Sequence, residues 1–214
     1  MRPPDAAAPA VRPFPTTALN VHGPNDRTVE LVRASGARSY AEIGVYRGDT
    51  ARRVAELLGG DGELHLFDYE DRVVPVAAAL RAAGHGNVVA HPNSRRMLDS
   101  YNWSLMRLLA AHREPLFDYV FLDGAHTWAL DALAFCLVDR LLRPGGIVDF
   151  DDYHWTVRAS PSMRPEIFPD VLDLYTDEQI DARQVALVVD LLARRDGRYE
   201  EIVPDKAFRK RAAA

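Results

Sequence analysis

Two acidic stretches hold the side chains best suited to chemistry in this chain: Asp123-Gly124-Ala125-His126 and Asp151-Asp152-Tyr153-His154. Each follows a short apolar run, Phe117–Leu122 or Ile147–Phe150, that reads as a strand. Asp123, Asp151 and Asp152 would then gather at adjacent strand ends, where carboxylates repel unless protonated or bridged by a cation. A hard divalent ion answers that: Mg²⁺ binds few carboxylates, keeps several waters and leaves positions for substrate oxygens. His126 and His154 flank the acids, and either imidazole, or an aspartate, could take a proton from a substrate. The ordinary alternative for each histidine is a loop residue hydrogen-bonded to structure.

A second stretch, Tyr40–Thr50 (YAEIGVYRGDT), reads as a strand, a tight turn with Gly44 and Gly48, and a helix start at Thr50. Glycines let the backbone approach a ligand, and the free N–H groups of a helix N-terminus favour an anionic or acceptor-rich partner. An ordinary strand-to-helix turn is the competing reading. Inside the run before Asp151, alternation places Asp149 on the same side as Asp151. A carboxylate in a covered strand must be paired, hydrogen-bonded or neutral. The sequence leaves open whether Asp149 extends the acidic site or pairs with an arginine.

The elements that position these residues alternate. Asn25 or Asp26 caps a helix through Ser35, stopped by Gly36; Tyr40–Ile43 is the first strand and Thr50–Leu58 the next helix. ELHLFD alternates and ends a second strand at Asp68. Asp71–Ala83 is a helix whose first turn tolerates Pro75. A short third strand, Val88–Ala90, precedes a turn at Pro92–Ser94 and a helix over Met97–His112. After Phe117–Leu122 comes a helix around Cys136, a stop at Pro144-Gly145-Gly146, and the fifth strand. Tyr153–Glu178, with three prolines and no clear period, reads as a lid or substrate loop (153–178). Gln179–Arg194 returns to helix, and Tyr199–Val203 with Ala207–Arg209 forms a C-terminal antiparallel hairpin. The alternation predicts an α/β fold, a doubly wound, mostly parallel sheet with helices on both faces. Ligands bind such sheets outside the strand carboxyl ends. Gly44, Asp68, the turn near Asn93, Asp123 and Asp151 should therefore converge on one site.

The 214 residues suit one domain with an arm: 1–22, rich in Pro and Ala, as a flexible arm in which Phe14 could dock, and 23–214 as the folded domain. A formal charge of −5 argues against a broad basic surface for nucleic acid or membrane, and the cluster Arg209-Lys210-Arg211 reads as a solvated tail. No apolar run is long enough to span a bilayer, and the proline-broken N-terminus lacks an apolar signal core, so the expected location is cytoplasmic. The single cysteine, Cys136, makes no intrachain disulfide and reads as a small buried hydrophobe. A homodimer is the default expectation for a soluble enzyme.

Four motifs in order, E-x-G-x-x-x-G at Glu42, Gly44 and Gly48, the acid Asp68, FDYVFLDGAH and LLRPGGIVDFDDY, make the chain resemble the class I S-adenosylmethionine-dependent methyltransferases, over roughly residues 25–210. A dinucleotide fingerprint needs G-x-G-x-x-G, whereas Tyr46 stands at the second glycine position here. The resemblance implies a Rossmann-like fold with Glu42, Gly44, Tyr46 and Gly48 around the methionine part of the cofactor and Asp68 on the ribose hydroxyls. A carboxylate has two oxygens to accept from two vicinal hydroxyls. It also places Asn93 and Ser94 near adenine and Asp123 beside the cofactor.

The acidic ends are similar to those of metal-dependent small-molecule O-methyltransferases, which implies Asp123, Asp151 and Asp152 as ligands of Mg²⁺. Methyl transfer then needs an acceptor oxygen held in line and its proton removed, with Asp123, His126 and His154 as the candidate catalytic residues. Trp155 is a candidate wall of the acceptor site. The expected activity is O-methylation of a small-molecule hydroxyl, by resemblance in biosynthesis. A metal-independent methyltransferase and a non-catalytic cofactor-binding partner protein are the alternatives.

Overall fold

The computed structural model describes residues 23–212. The arm 1–22, with Phe14, lies outside the described residues. Two compact units are distinguished among the described residues, one formed by 156–182 and the other by the remainder.

The larger unit holds β1 (Ser39–Ile43), β2 (Glu63–Tyr69), β3 (Val88–Asn93), β4 (Phe117–Leu122), β5 (Leu142–Phe150), β6 (Tyr199–Val203) and β7 (Ala207–Lys210). They form one sheet in the order β3-β2-β1-β4-β5-β7-β6. β1 to β5 pair in parallel, and β7 is antiparallel to both β5 and β6. The reversal between β1 and β4 is the topological switch point at which such sheets bind ligands. The expected α/β, doubly wound sheet with its closing hairpin is the fold observed.

Period-two alternation sorts the strand side chains onto the two faces. On one face Ala41, Ile43, Val120, Leu122, Val148 and Phe150 pack with residues of α4 (Tyr101–Ala111), α5 (Trp128–Leu141) and α8 (Gln184–Val188). On the other, Tyr40, Leu64, Leu66, Tyr119 and Phe121 meet α1 (Asp26–Ser35), α2 (Asp49–Leu58) and α3 (Glu70–Ala82). Each such fully buried side chain contributes about 1.5–3 kcal/mol, so a one-residue register slip in any central strand is strongly disfavoured.

Several boundaries differ from expectation for identifiable reasons. α4 begins at Tyr101, because the Ser100 side chain accepts the Asn102 N–H and caps it; Met97 and Leu98 fall outside the helix and are 89% and 91% exposed. Pro75 sits in the second turn of α3, since that helix starts at Glu70. β3 runs on through Pro92, which is tolerable because β3 is an edge strand. β5 starts at Leu142, and Arg143–Gly146 are accommodated by a shift of register against β4. The helix expected over Gln179–Arg194 is broken into α7 (Asp177–Asp181), α8 and a π-helical turn, Val189–Ala193.

Unit 156–182 contains α6 (Val171–Leu174) and α7. It is built from caps rather than an apolar period: Thr176 and Gln179 form a reciprocal capping box, and Arg158 donates through its backbone to Ile180 and pairs with Asp181 at 2.9 Å. No helix among the described residues is long and apolar enough to cross a membrane.

Cys136 corrects the sequence reading. Ala134, Phe135, Val138 and Leu141 turn α5 toward the core, and Cys136 falls on the outward stripe with Leu133 and Arg140, exposed. Native protein should therefore react with a thiol reagent at one site without denaturant, and Cys136→Ser should change stability by less than about 0.5 kcal/mol. A thiol that reacts only after unfolding would contradict this placement.

Candidate active site

The site is assembled where β1 and β4 end. Gly44 has φ +89°, and a Cβ there would lie 1.7 Å from the Asp123 carbonyl oxygen, so only glycine fits. Ladder bonds keep the strand ends level: Gly44 N–H donates to Phe67, Asp123 N–H to Ile43 and Asp151 N–H to Leu122, at 2.9, 2.9 and 3.0 Å.

The glycine loop is held by Asp68. Its Oδ2 accepts from the backbone N–H of Val45 (2.9 Å) and Tyr46 (2.8 Å), and Oδ1 accepts from Tyr69 N–H (2.6 Å). Tyr46 is thereby fixed at φ +50°. Gly48, at φ +73°, opens α2, and its missing side chain leaves room for Val76. Glu42 is buried beneath the loop. Burial pushes its carboxyl well above the usual range, the Tyr40 hydroxyl bonded to it at 2.9 Å pulls the other way, and the charges of Asp123 and Asp68 add to the rise. Asn93 is buried at the end of β3 with its Oδ1 lacking any hydrogen-bond partner. Ser94 is committed to its own loop, donating through N–H and Oγ to Asp99 at 2.7 and 2.6 Å.

Asp123, His126 and Asp152 come together so that one ligand atom from each lies within 4.8 Å of the others. His126 Nε2 is 3.1 Å from Asp123 Oδ1 and 3.2 Å from Asp152 Oδ2. His126 and Asp152 both have left-handed backbones, φ +56° and +57°, which aim their side chains at one point. Burial acts to lower the His126 pKa, but the bond and charge of Asp123, followed by Asp152, outweigh it and raise it to about 9. Burial lifts Asp123 to about 6 against the opposing pull of His126.

Asp151 is not part of this trio. Its Oδ1 accepts from Asn25 Nδ2 at 3.1 Å and lies 3.9 Å from Lys206 Nζ. Asn25 also caps α1 and donates its backbone N–H to Thr50 Oγ1 (2.9 Å), tying Asp151 to the start of α2. The question left open at Asp149 is answered by a lysine. Fully buried, Asp149 pairs with Lys206 at 2.8 Å and accepts from Thr28 Oγ1 (2.7 Å) and the Tyr119 hydroxyl (2.6 Å). Lys206 and Asn25 were not singled out as site residues. Their signals, a turn lysine and a helix cap, are common, and their acidic partners lie 55 or more positions away in the chain.

Trp155 lies near the cluster, its ring centroid 5.1 Å from that of His126. His154 points elsewhere: it is exposed, and its Nδ1 meets Arg183 Nη1 at 3.2 Å. Tyr153 anchors the chain, its hydroxyl bonded to Asp190 at 3.0 Å. Lys210, expected in a solvated tail, instead pairs with Asp139 at 3.3 Å.

Two tests follow from this geometry. Because the His126 pKa is raised, its pairing stabilises the fold fully below the ordinary imidazole pKa near 6.5, and that contribution is lost as pH rises through about 9. NMR titration should place the wild-type midpoint near 9, and Asp123→Asn should lower it by at least about one unit. An unchanged midpoint would show that Asp123 is not the cause. Lys206→Met should leave Asp149 buried without its cation and cost about 3–5 kcal/mol in denaturant unfolding, and adding Asp149→Asn should recover part of that loss.

Comparison with known proteins identifies the family of this fold. A family model described as a methyltransferase domain matches residues 41–153, more than half of the chain. Among solved structures, the O-methyltransferase from Bacillus cereus in complex with SAH has a TM-score of 0.61 and 19% identity, covering 90% of this chain and 84% of that one. The O-methyltransferase TomG from Streptomyces achromogenes, involved in tomaymycin synthesis and solved with SAM, has a TM-score of 0.57 and 24% identity, covering 86% and 78%. No curated protein sequence matches significantly. With the matched segment running from β1 to the end of β5 and enclosing the glycine loop and the acid–imidazole cluster, the chain belongs to the methyltransferase-domain family, with the class I fold.

Proposed function

We propose that the protein is an S-adenosylmethionine-dependent O-methyltransferase that methylates a hydroxyl of a small molecule with the help of a divalent cation. The observation that carries the reading is the trio Asp123, His126 and Asp152 standing directly against the glycine loop, with Gly44 packed on the Asp123 carbonyl. Gly44, Tyr46 and Gly48 would border the methionine end of the cofactor and Asp68 its ribose, since the Asp68 carboxylate retains acceptor capacity beyond its three backbone donors. The unpartnered Oδ1 of Asn93 suits a donor such as an adenine amino group. When bound, S-adenosylmethionine supplies the electrophilic methyl group.

Two carboxylates and an imidazole also fit a divalent ion, which would lower the pKa of an acceptor hydroxyl and orient it. An imidazole in the donor set suits a first-row transition ion better than does the all-carboxylate set expected for Mg²⁺, and Mn²⁺ is the one of these that also accepts carboxylates readily. Asp151, engaged by Asn25 and Lys206, would orient the floor of the site rather than complete that set. A carboxylate oxygen of Asp123 not committed to the ion would take the acceptor's proton, and Trp155 would cover an apolar part of the acceptor and exclude water. The formal charge of −5 and the engagement of Lys210 by Asp139 favour a small molecule over nucleic acid. The likeness to TomG supports an acceptor from small-molecule biosynthesis.

One observation favours a second reading. His126 Nε2 already lies against both carboxylates and compensates them without a metal, which would suit a metal-independent enzyme in which the imidazolium holds Asp123 in place and Asp123 takes the acceptor's proton. Titration of the EDTA-treated protein with S-adenosylhomocysteine and then Mn²⁺ or Mg²⁺ separates the two. Wild type should bind all three. Asp123→Asn/Asp152→Asn should bind S-adenosylhomocysteine within about threefold of wild type and lose metal affinity by at least about 10-fold. Cofactor binding without metal binding would favour the second reading, and no cofactor binding would reject both.

A further inference from the structure

Outside the trio, one buried pair has no role in the chemistry described so far. Tyr101, at the start of α4, and Asp131, in the first turns of α5, are 8% and 6% exposed, and the Tyr101 hydroxyl is hydrogen-bonded to Asp131 Oδ1. Both reach the same short loop. Ala125 N–H lies 3.2 Å from the Tyr101 hydroxyl and 3.3 Å from Asp131 Oδ1, and Thr127 N–H donates to Asp131 Oδ2 at 2.9 Å. The residues on either side of His126 are therefore tied by their backbones to one side-chain pair. The loop is also shaped to admit that pair. A Cβ at Gly124 would lie 2.6 Å from Asp131 Oδ1 and 2.8 Å from the Tyr101 hydroxyl.

A hydrogen-bonded tyrosine and aspartate could serve only to cap α5, whose N-cap Thr127 makes no side-chain capping bond of its own. Two features go beyond capping. The bond to Ala125 lies before His126 and adds nothing to the helix end. His126 also holds φ +56°, a conformation that costs a non-glycine residue roughly 1–3 kcal/mol and persists only where its surroundings over-determine it. The Asp123 and Asp152 carboxylates grip the imidazole tip, so neither fixes the backbone. Hydrogen bonds to Ala125 and Thr127 do.

We infer that Tyr101 and Asp131 are positioning residues: they lock the Gly124–Thr127 loop, and so place the His126 imidazole between Asp123 and Asp152. The inference deepens the proposed function, because a misplaced His126 would loosen both metal binding and proton transfer. It also makes a structural claim that stands without either. Residues that orient a functional side chain in this way are worth about 10- to 100-fold in affinity or activity when removed.

The test compares wild type with Tyr101→Phe, which keeps the ring and its packing, and Gly124→Ala, which crowds the pair, with Asp131→Asn as a near-isosteric third variant. At pH 7, without metal or cofactor, the readout is the set of His126 ring signals in ¹⁵N-resolved NMR and the ring-to-ring NOE between His126 and Trp155. Wild type should give one sharp set and a clear NOE. Tyr101→Phe should give broadened or doubled His126 signals and a weakened NOE, while S-adenosylhomocysteine affinity stays within about twofold and turnover on an accepted substrate falls about 10- to 100-fold. Sharp, unchanged His126 signals and NOE in Tyr101→Phe, with only thermal stability reduced, would overturn the inference and leave the pair as a helix cap. Asp131→Asn and Gly124→Ala should lower stability as well, and Tyr101→Phe decides. If wild type binds no cofactor or metal, the proposed function fails while the NMR comparison still decides the positioning claim.

Discussion

The contact between Gly44 and the Asp123 carbonyl is the constraint on which the site depends. Two strands that are neighbours in the sheet but distant in sequence end so close together that no side chain fits between them. That approach sets the glycine loop against the β4 end, and everything chemical is built outward from it. On one side Asp68 gathers the backbone of Val45 and Tyr46. On the other, Asp123 stands at the start of the loop that carries His126. The glycine loop and the acid–imidazole cluster are thus two halves of one crossing, positioned by backbone rather than by flexible side chains.

The electrostatics follow from that crowding. Glu42, Asp68, Asp123, Asp149, Asp151 and Asp152 are concentrated at or beneath the strand ends, and they are reconciled by different means. Glu42 has a tyrosine hydroxyl and burial that favours its neutral form. Asp68 accepts from three backbone N–H groups and lies 3.8 Å from the Arg72 guanidinium. Asp149 has Lys206, which also approaches Asp151. Asp123 and Asp152 share His126. The last pair is the one whose compensation is a titratable group that a cation could rearrange, which is why chemistry is assigned there and a structural role to Asp149 and Lys206.

Much of this was legible in the sequence, and the reasons for what was not are local. Period-two alternation and the glycine and aspartate positions gave the strand ends, because a parallel sheet buried on both faces permits few alternatives. The acids at 123 and 152 were recognisable for the same reason. The turn of Asp151 toward Asn25 was not, since it depends on the cap of a helix 126 residues earlier. His126 could be named, but not its bonding to both carboxylates, which needs two left-handed residues that no sequence period marks. The outward face of Cys136 was missed because α5 is apolar on most of its circumference, so composition alone does not show which stripe is buried.

The proposed cation site at the β4 and β5 ends, adjoining the glycine loop, is most directly tested by anomalous diffraction from crystals grown with Mn²⁺ and S-adenosylhomocysteine. A manganese peak coordinated by Asp123, His126 and Asp152 is expected, with the ligand density running from Gly44 to Asp68. A manganese peak elsewhere with this trio still closed on itself, or ligand density away from the glycine loop, would contradict it.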